Sequence, residues 1–133
     1  MLVTIEKVLS LKQLSLFKTV SNMALSDLMA LSEEQTIKKG TTLIADNEQN
    51  KAVYFLLSGS LEEKNKNEKK AISAGSSVGL DSVFWVAPAG KSVVAKQTSV
   101  VLKTEQDKLY RMMALHPSLA MAILNELSAR IHQ

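Results

Sequence analysis

The feature that most constrains this chain is a change of hydrophobic period that occurs twice. Apolar residues recur at helical spacing from about 5 to 31, give way to short runs rich in Val, Ile and Thr from about 33 to 103, and return to helical spacing from Thr104. The order helices, strands, helices predicts a mainly β fold with flanking helices. The first helical part carries Ile5, Val8, Leu9, Leu11, Leu14 and Phe17. Ser21 then stands as an N-cap before Leu25, Leu28 and Met29, which form one helix face. In the middle part, Thr41–Ile44 ends at the turn cluster Asp46-Asn47-Glu48. The unbroken apolar run Ala52–Leu57 predicts a strand buried on both faces, and it ends at Ser58-Gly59. Leu61–Lys64 and Lys69–Ser73 read as a hairpin about the tip Asn65–Glu68. Ser92–Ala95 and Ser99–Lys103 add two more strands, and about eight short strands fit a sandwich or barrel.

The last part opens with Thr104-Glu105-Gln106-Asp107, which is patterned like a capping box. Leu109, Met112 and Met113 follow as one apolar face, and Pro117 ends that helix and starts another. The final helix is expected to bury Leu119, Ala120, Ile123, Leu124, Leu127 and Ile131, with Asn125, Glu126, Ser128 and Arg130 opposite. At 133 residues the chain has the length of one domain, divided as 1–32 helical, 33–103 strands and 104–133 helical.

Composition removes several function classes. There is no cysteine, hence no disulfide scaffold, thiolate metal site or thiol nucleophile. The two histidines, His116 and His132, make poor material for a metal centre, and none is expected. The net charge of +3 is too small for a nucleic-acid footprint unless it is clustered. The first ten residues lack the pattern of an export signal, and no apolar run approaches the length of a membrane span. The expected location is the cytoplasm.

Candidate motifs divide sharply. Gly90-Lys91-Ser92 has the end of a phosphate-binding P-loop, but Trp85 stands where the first glycine belongs and a strand-like segment follows. The run Glu62–Lys70 nearly neutralises itself and reads as a solvated hairpin tip. His116 reads as structural, with no evident partner carboxylate. Ser58, Ser60, Ser76 and Ser77 lack a nucleophile elbow, so no catalytic residue and no enzymatic activity are expected. The informative stretch is Val78-Gly79-Leu80-Asp81-Ser82-Val83-Phe84-Trp85. Gly79 permits a close turn whose free N–H groups would face an anion, and Lys91 and Ser92 arrive on a following strand.

From about Leu11 to Ile131 the chain resembles the cyclic-nucleotide-binding domain of the catabolite-activator and fumarate-nitrate-regulator type. The resemblance rests on Leu14–Phe17, Gly40, Tyr54-Phe55-Leu56-Leu57-Ser58-Gly59-Ser60-Leu61, Gly75, Gly79, Ser92–Ala95 and Pro117-Ser118-Leu119-Ala120. It implies a double-stranded β-helix, a jelly-roll-like β-roll with helices before and after it. It also implies a ligand site at Val78, Gly79, Leu80, Asp81, Ala89, Gly90, Lys91 and Ser92. In family members that bind cAMP or cGMP, a glutamate after the glycine holds the ribose and an arginine after the proline holds the phosphate. Here those positions are Leu80 and Ala89. A hydrogen bond to a charged group contributes about 1.5–3 kcal/mol, so losing two costs about 10²–10⁴ in affinity.

Three readings follow. The first is a regulatory domain with an altered pocket that takes a small ligand other than a standard cyclic nucleotide. The second is an interaction module in which Phe84, Trp85 and Val86 either fill the cavity or anchor a partner, against ordinary core packing of Trp85. The third is a cAMP or cGMP module using backbone N–H groups, Ser92 and Lys91. The family's regulators extend into a helix-turn-helix after the last helix. The residues after Pro117 offer none, so DNA binding by this chain is not expected. The apolar last helix suits a homodimer or a partner protein.

Overall fold

The computed structural model describes residues 8, 9 and 11–131. The helical reading at Ile5 and the reading of His132 fall outside the described residues. A 3-10 turn at Ser15–Phe17 and helix α1 (Asn22–Leu31) precede eight strands: β1 (Glu33–Ile37), β2 (Thr42–Ile44), β3 (Ala52–Ser58), β4 (Ser60–Lys64), β5 (Lys69–Ser73), β6 (Ser77–Val78), β7 (Ser92–Ala95) and β8 (Ser99–Glu105). Helices α2 (Gln106–Leu115) and α3 (Pro117–Ile131) close the described chain. The strands form two antiparallel sheets of four, ordered β1-β8-β3-β6 and β2-β7-β4-β5. This is the mainly β, helix-flanked fold that the residue pattern predicts and the β-roll that the family resemblance implies.

Strand alternation explains the two cores. On β3, Val53 and Phe55 face the helices, while Ala52, Tyr54 and Leu56 face the inside of the roll. The run is unbroken because both of its faces are covered. The helix-side core gathers Phe17, Leu25, Leu28, Leu102, Leu109, Met112 and Leu119. The Phe17 and Phe55 rings meet there at 5.0 Å, tilted by 54°, a contact of about 0.5–1.5 kcal/mol beyond area burial. The roll core gathers Ile37, Ile44, Leu61, Ile72, Val93 and Val101. At α1, the Ser21 hydroxyl accepts from the Ala24 N–H at 3.1 Å and caps the helix as its sequence indicates.

Several expectations are corrected. Strand β8 runs to Glu105, two residues past the expected end, because both residues still pair with β3. The capping box therefore does not form: Glu105 makes no side-chain cap, and the buried Thr104 hydroxyl bonds the Ser32 hydroxyl at 2.6 Å instead. In α3 the buried stripe is Leu119, Ala122 and Ile123, while Leu124 and Ile131 are exposed. Glu126 and Arg130, expected on the polar face, continue the inward stripe at helical spacing and are half-buried. Trp85 does not pack in the core. It is 60% exposed beside an exposed Val86, and only Phe84 turns inward, against Tyr110 at 5.8 Å. His116 has the carboxylate that its neighbourhood in sequence lacks, with Nε2 2.9 Å from Asp27 Oδ2 on α1.

Candidate functional site

The segment between β6 and β7 begins with a forced turn. Gly79 has φ +87°, and a Cβ there would stand 2.8 Å from the Ala52 carbonyl and 2.7 Å from Asn50 Nδ2. Asn50 is buried and clasps the turn: its Nδ2 donates to Gly79 O (3.1 Å) and Ser82 Oγ (3.0 Å), and its Oδ1 accepts from Ala52 N–H (3.2 Å). The Val83 N–H donates to Gly79 O at 2.8 Å, and Gln106 Nε2 donates to Val83 O at 2.5 Å. The turn sinks Leu80 and Val83 into the helix-side core and leaves Asp81 outside it.

Asp81 meets Lys91. The Lys91 Nζ donates to Asp81 Oδ2 at 2.5 Å and stands 3.4 Å from Glu63 Oε1. Sheet register brings the third member. On β4, Leu61 and Glu63 share the inner face, and on β5 so do Ile72 and Lys70, with Glu63 directly opposite Lys70. The inner surface of the hairpin thus changes from apolar to charged toward its tip. Burial pushes the Asp81 carboxyl upward. The hydrogen bond and charge of Lys91, with Arg130 and the Asp81 backbone N–H, outweigh it and hold the carboxyl below the usual value. Burial pushes the Lys91 ammonium downward, and Asp81 and Glu63 reverse this to a net rise. Both groups are held charged.

These side chains line a cavity of about 390 Å³ between the hairpin, the turn and α3. Phe55 and Ile72 supply apolar wall, Ser73, Ser76 and Ser77 supply hydroxyls, and Glu126 and Arg130 enter from α3, paired at 3.5 Å. A larger groove of about 490 Å³ lies between the β2–β3 connection and the start of α2, away from these groups.

The eight residues expected at the site do not converge. Asp81 and Lys91 line the cavity. Val78 is buried in the roll core, Gly79 shapes the turn, and Leu80 is buried against the helices. Ala89 packs half-buried on the roll core. Gly90 and Ser92 line a separate hollow with Lys64 and Asn65. Alternation is the reason: Lys91 falls on the inner side with Val93, and Ser92 falls on the outer side, opposite Lys64. Lys91 and Ser92 therefore line different hollows. Sequence reasoning missed Asn50, Glu63, Lys70, Glu126 and Arg130. For Glu63 a signal existed, since it alternates with the buried Leu61.

Residues 34–116, more than half of the chain, match the model of the cyclic nucleotide-binding domain, and the chain belongs to that family. Among solved structures it is similar to the sensor domain of the transcriptional regulator DNR from Pseudomonas aeruginosa (TM-score 0.81, 23% identity, 98% of this chain and 91% of that one). It is also similar to the regulatory domain of Toxoplasma gondii PKA crystallised with cAMP (TM-score 0.80, 15% identity, 97% and 49%). A third is the regulatory subunit of a cAMP-independent protein kinase A from Trypanosoma brucei (TM-score 0.79, 16% identity, 98% and 49%). At these identities the likeness is one of fold, and this chain spans about half the length of the two regulatory chains of protein kinase A. Comparison with curated proteins returned no match. Among the described residues no helix is long and apolar enough to cross a membrane.

Proposed function

We propose that this chain is a regulatory sensor domain whose cavity takes a small ligand other than a free cyclic nucleotide. The observation that carries this reading is the state of Lys91. Its ammonium lies against Asp81 of the turn, and it is already engaged by two carboxylates, Asp81 at 2.5 Å and Glu63 at 3.4 Å. A cyclic phosphate arriving there would have to displace Asp81 and then sit beside its charge. Leu80, at the position of the family's ribose-holding glutamate, is buried against the helices and offers the sugar nothing. The fold is compatible with either behaviour, since it is shared by a PKA regulatory domain crystallised with cAMP and by the regulatory subunit of a cAMP-independent protein kinase A.

Output runs through α3 in this reading. Glu126 and Arg130 form one wall of the cavity, so a ligand that contacts them biases the position of the helix against the roll. No catalysis and no DNA contact by this chain are part of the proposal, and its setting is the cytoplasm. The exposed Trp85 and Val86 favour one addition, delivery of the signal to a partner protein. Calorimetry with cAMP and cGMP is expected to show no binding tighter than about 100 μM. Low-micromolar binding of either would overturn the proposal.

A further inference from the structure

The cavity is unusual in its balance of charge. Among the described residues it is lined by three cations, Lys70, Lys91 and Arg130, and three carboxylates, Glu63, Asp81 and Glu126. Five of the six fall into two ion-paired groups. On the roll side, Lys91 is bound to Asp81 and Glu63. On the helix side, Arg130 is bound to Glu126. The two sides sense each other, since the charge of Arg130 contributes to holding Asp81 ionised.

Such a cavity discriminates by charge pattern. A bare anion gains one cation but must approach the carboxylate already bound to it, and a bare cation meets the converse problem. Either leaves an uncompensated charge in a partly shielded space. A ligand with both charges a few bonds apart can enter as a third dipole. Its anionic end takes Arg130 or Lys70, its cationic end takes Asp81 or Glu126, and every group keeps a counter-ion. The volume of about 390 Å³ lies at the small end of ligand cavities. Phe55 and Ile72 offer apolar wall to a short side chain, and Ser73, Ser76 and Ser77 offer hydroxyls to a polar one.

We infer that the natural ligand of this cavity is a small zwitterion of the amino-acid type, bridging the Lys91–Asp81 pair of the roll to the Arg130–Glu126 pair of α3. The inference rests on the functional reading above and gives it a ligand class. The test is calorimetry and thermal denaturation of the whole chain with the twenty L-amino acids at up to about 10 mM. Any binder is then compared with its N-acetyl and C-amide derivatives, with inorganic phosphate and with cAMP, all at one ionic strength. At least one amino acid is expected to bind, and capping either of its charged ends is expected to weaken binding about tenfold or more. Asp81→Asn and Arg130→Gln should weaken the same binder. The comparison of derivatives on unaltered protein stands even if a variant folds poorly. Absence of binding by every amino acid, or binding that survives capping of either end, would overturn the inference while leaving the functional reading intact. Tight cAMP binding would instead remove the reading beneath it.

Discussion

If Asp81 occupies the ammonium that a phosphate needs, removing its charge should create cyclic-nucleotide affinity. Asp81→Asn keeps the shape of the side chain and deletes one negative charge 2.5 Å from Lys91 Nζ. A phosphate about 4 Å from that carboxylate is repelled by roughly 1 kcal/mol in water and roughly 4 kcal/mol at an effective dielectric of 20. The Asp81 side chain is 40% exposed, so screening holds the term to about 1–2 kcal/mol. A charge-assisted bond from the freed ammonium adds about 1.5 kcal/mol, less what Glu63 still draws. The sum is about 2–3 kcal/mol, or about 30- to 150-fold in affinity. Titration calorimetry with cAMP on the native chain, on Asp81→Asn and on Asp81→Asn/Lys91→Met measures it. The single variant should bind more tightly, and the double variant should lose the gain. Equal affinity in native and Asp81→Asn protein would refute the reasoning. So would a gain that persists without Lys91, because the ammonium would then be irrelevant.

The same pair sets a pH dependence. The Asp81 carboxyl is held below its ordinary value, so its contribution to stability is present above the unfolded-state value near 3.8 and is lost as pH falls through the lower folded-state value. The melting temperatures of native and Asp81→Asn protein should accordingly converge in acid and differ at neutral pH. Gly59 has φ +99°, and a Cβ there would lie 2.6 Å from Ser99 Cα. Gly59→Ala should lower stability in urea denaturation by at least about 1–3 kcal/mol through backbone strain alone. A smaller loss would refute the strain argument, and a larger one would measure how far β8 resists yielding at Ser99. Ser21→Ala removes the α1 cap and should cost about 1 kcal/mol in the same assay. Trp85, the single tryptophan, is largely exposed. It should be readily quenched by acrylamide, and Trp85→Ala should change stability by less than about 0.5 kcal/mol.

The sequence by itself determined the layering. The apolar run Ala52–Leu57 required cover on both faces, and β3 has it, helices on one side and the second sheet on the other. The Ser21 cap, the hairpin about Asn65–Glu68 and the break at Pro117 were legible because each depends on a few adjacent residues. Where a local pattern competed with a distant partner, it lost. Thr104 has the look of a cap but remains in a strand, held by β3 and by Ser32. The cavity was beyond reach for the same reason. Asp81 and Lys91 sit at opposite ends of the β6–β7 connection, Glu63 on β4 and Arg130 on α3, and only strand register and helix packing decide that their charges meet. Spacing along the chain fixed which side of a strand Lys91 and Ser92 occupy. Which side looks onto the cavity, and which carboxylates wait there, came from tertiary structure, because ionic contacts act through space and leave no period in the sequence.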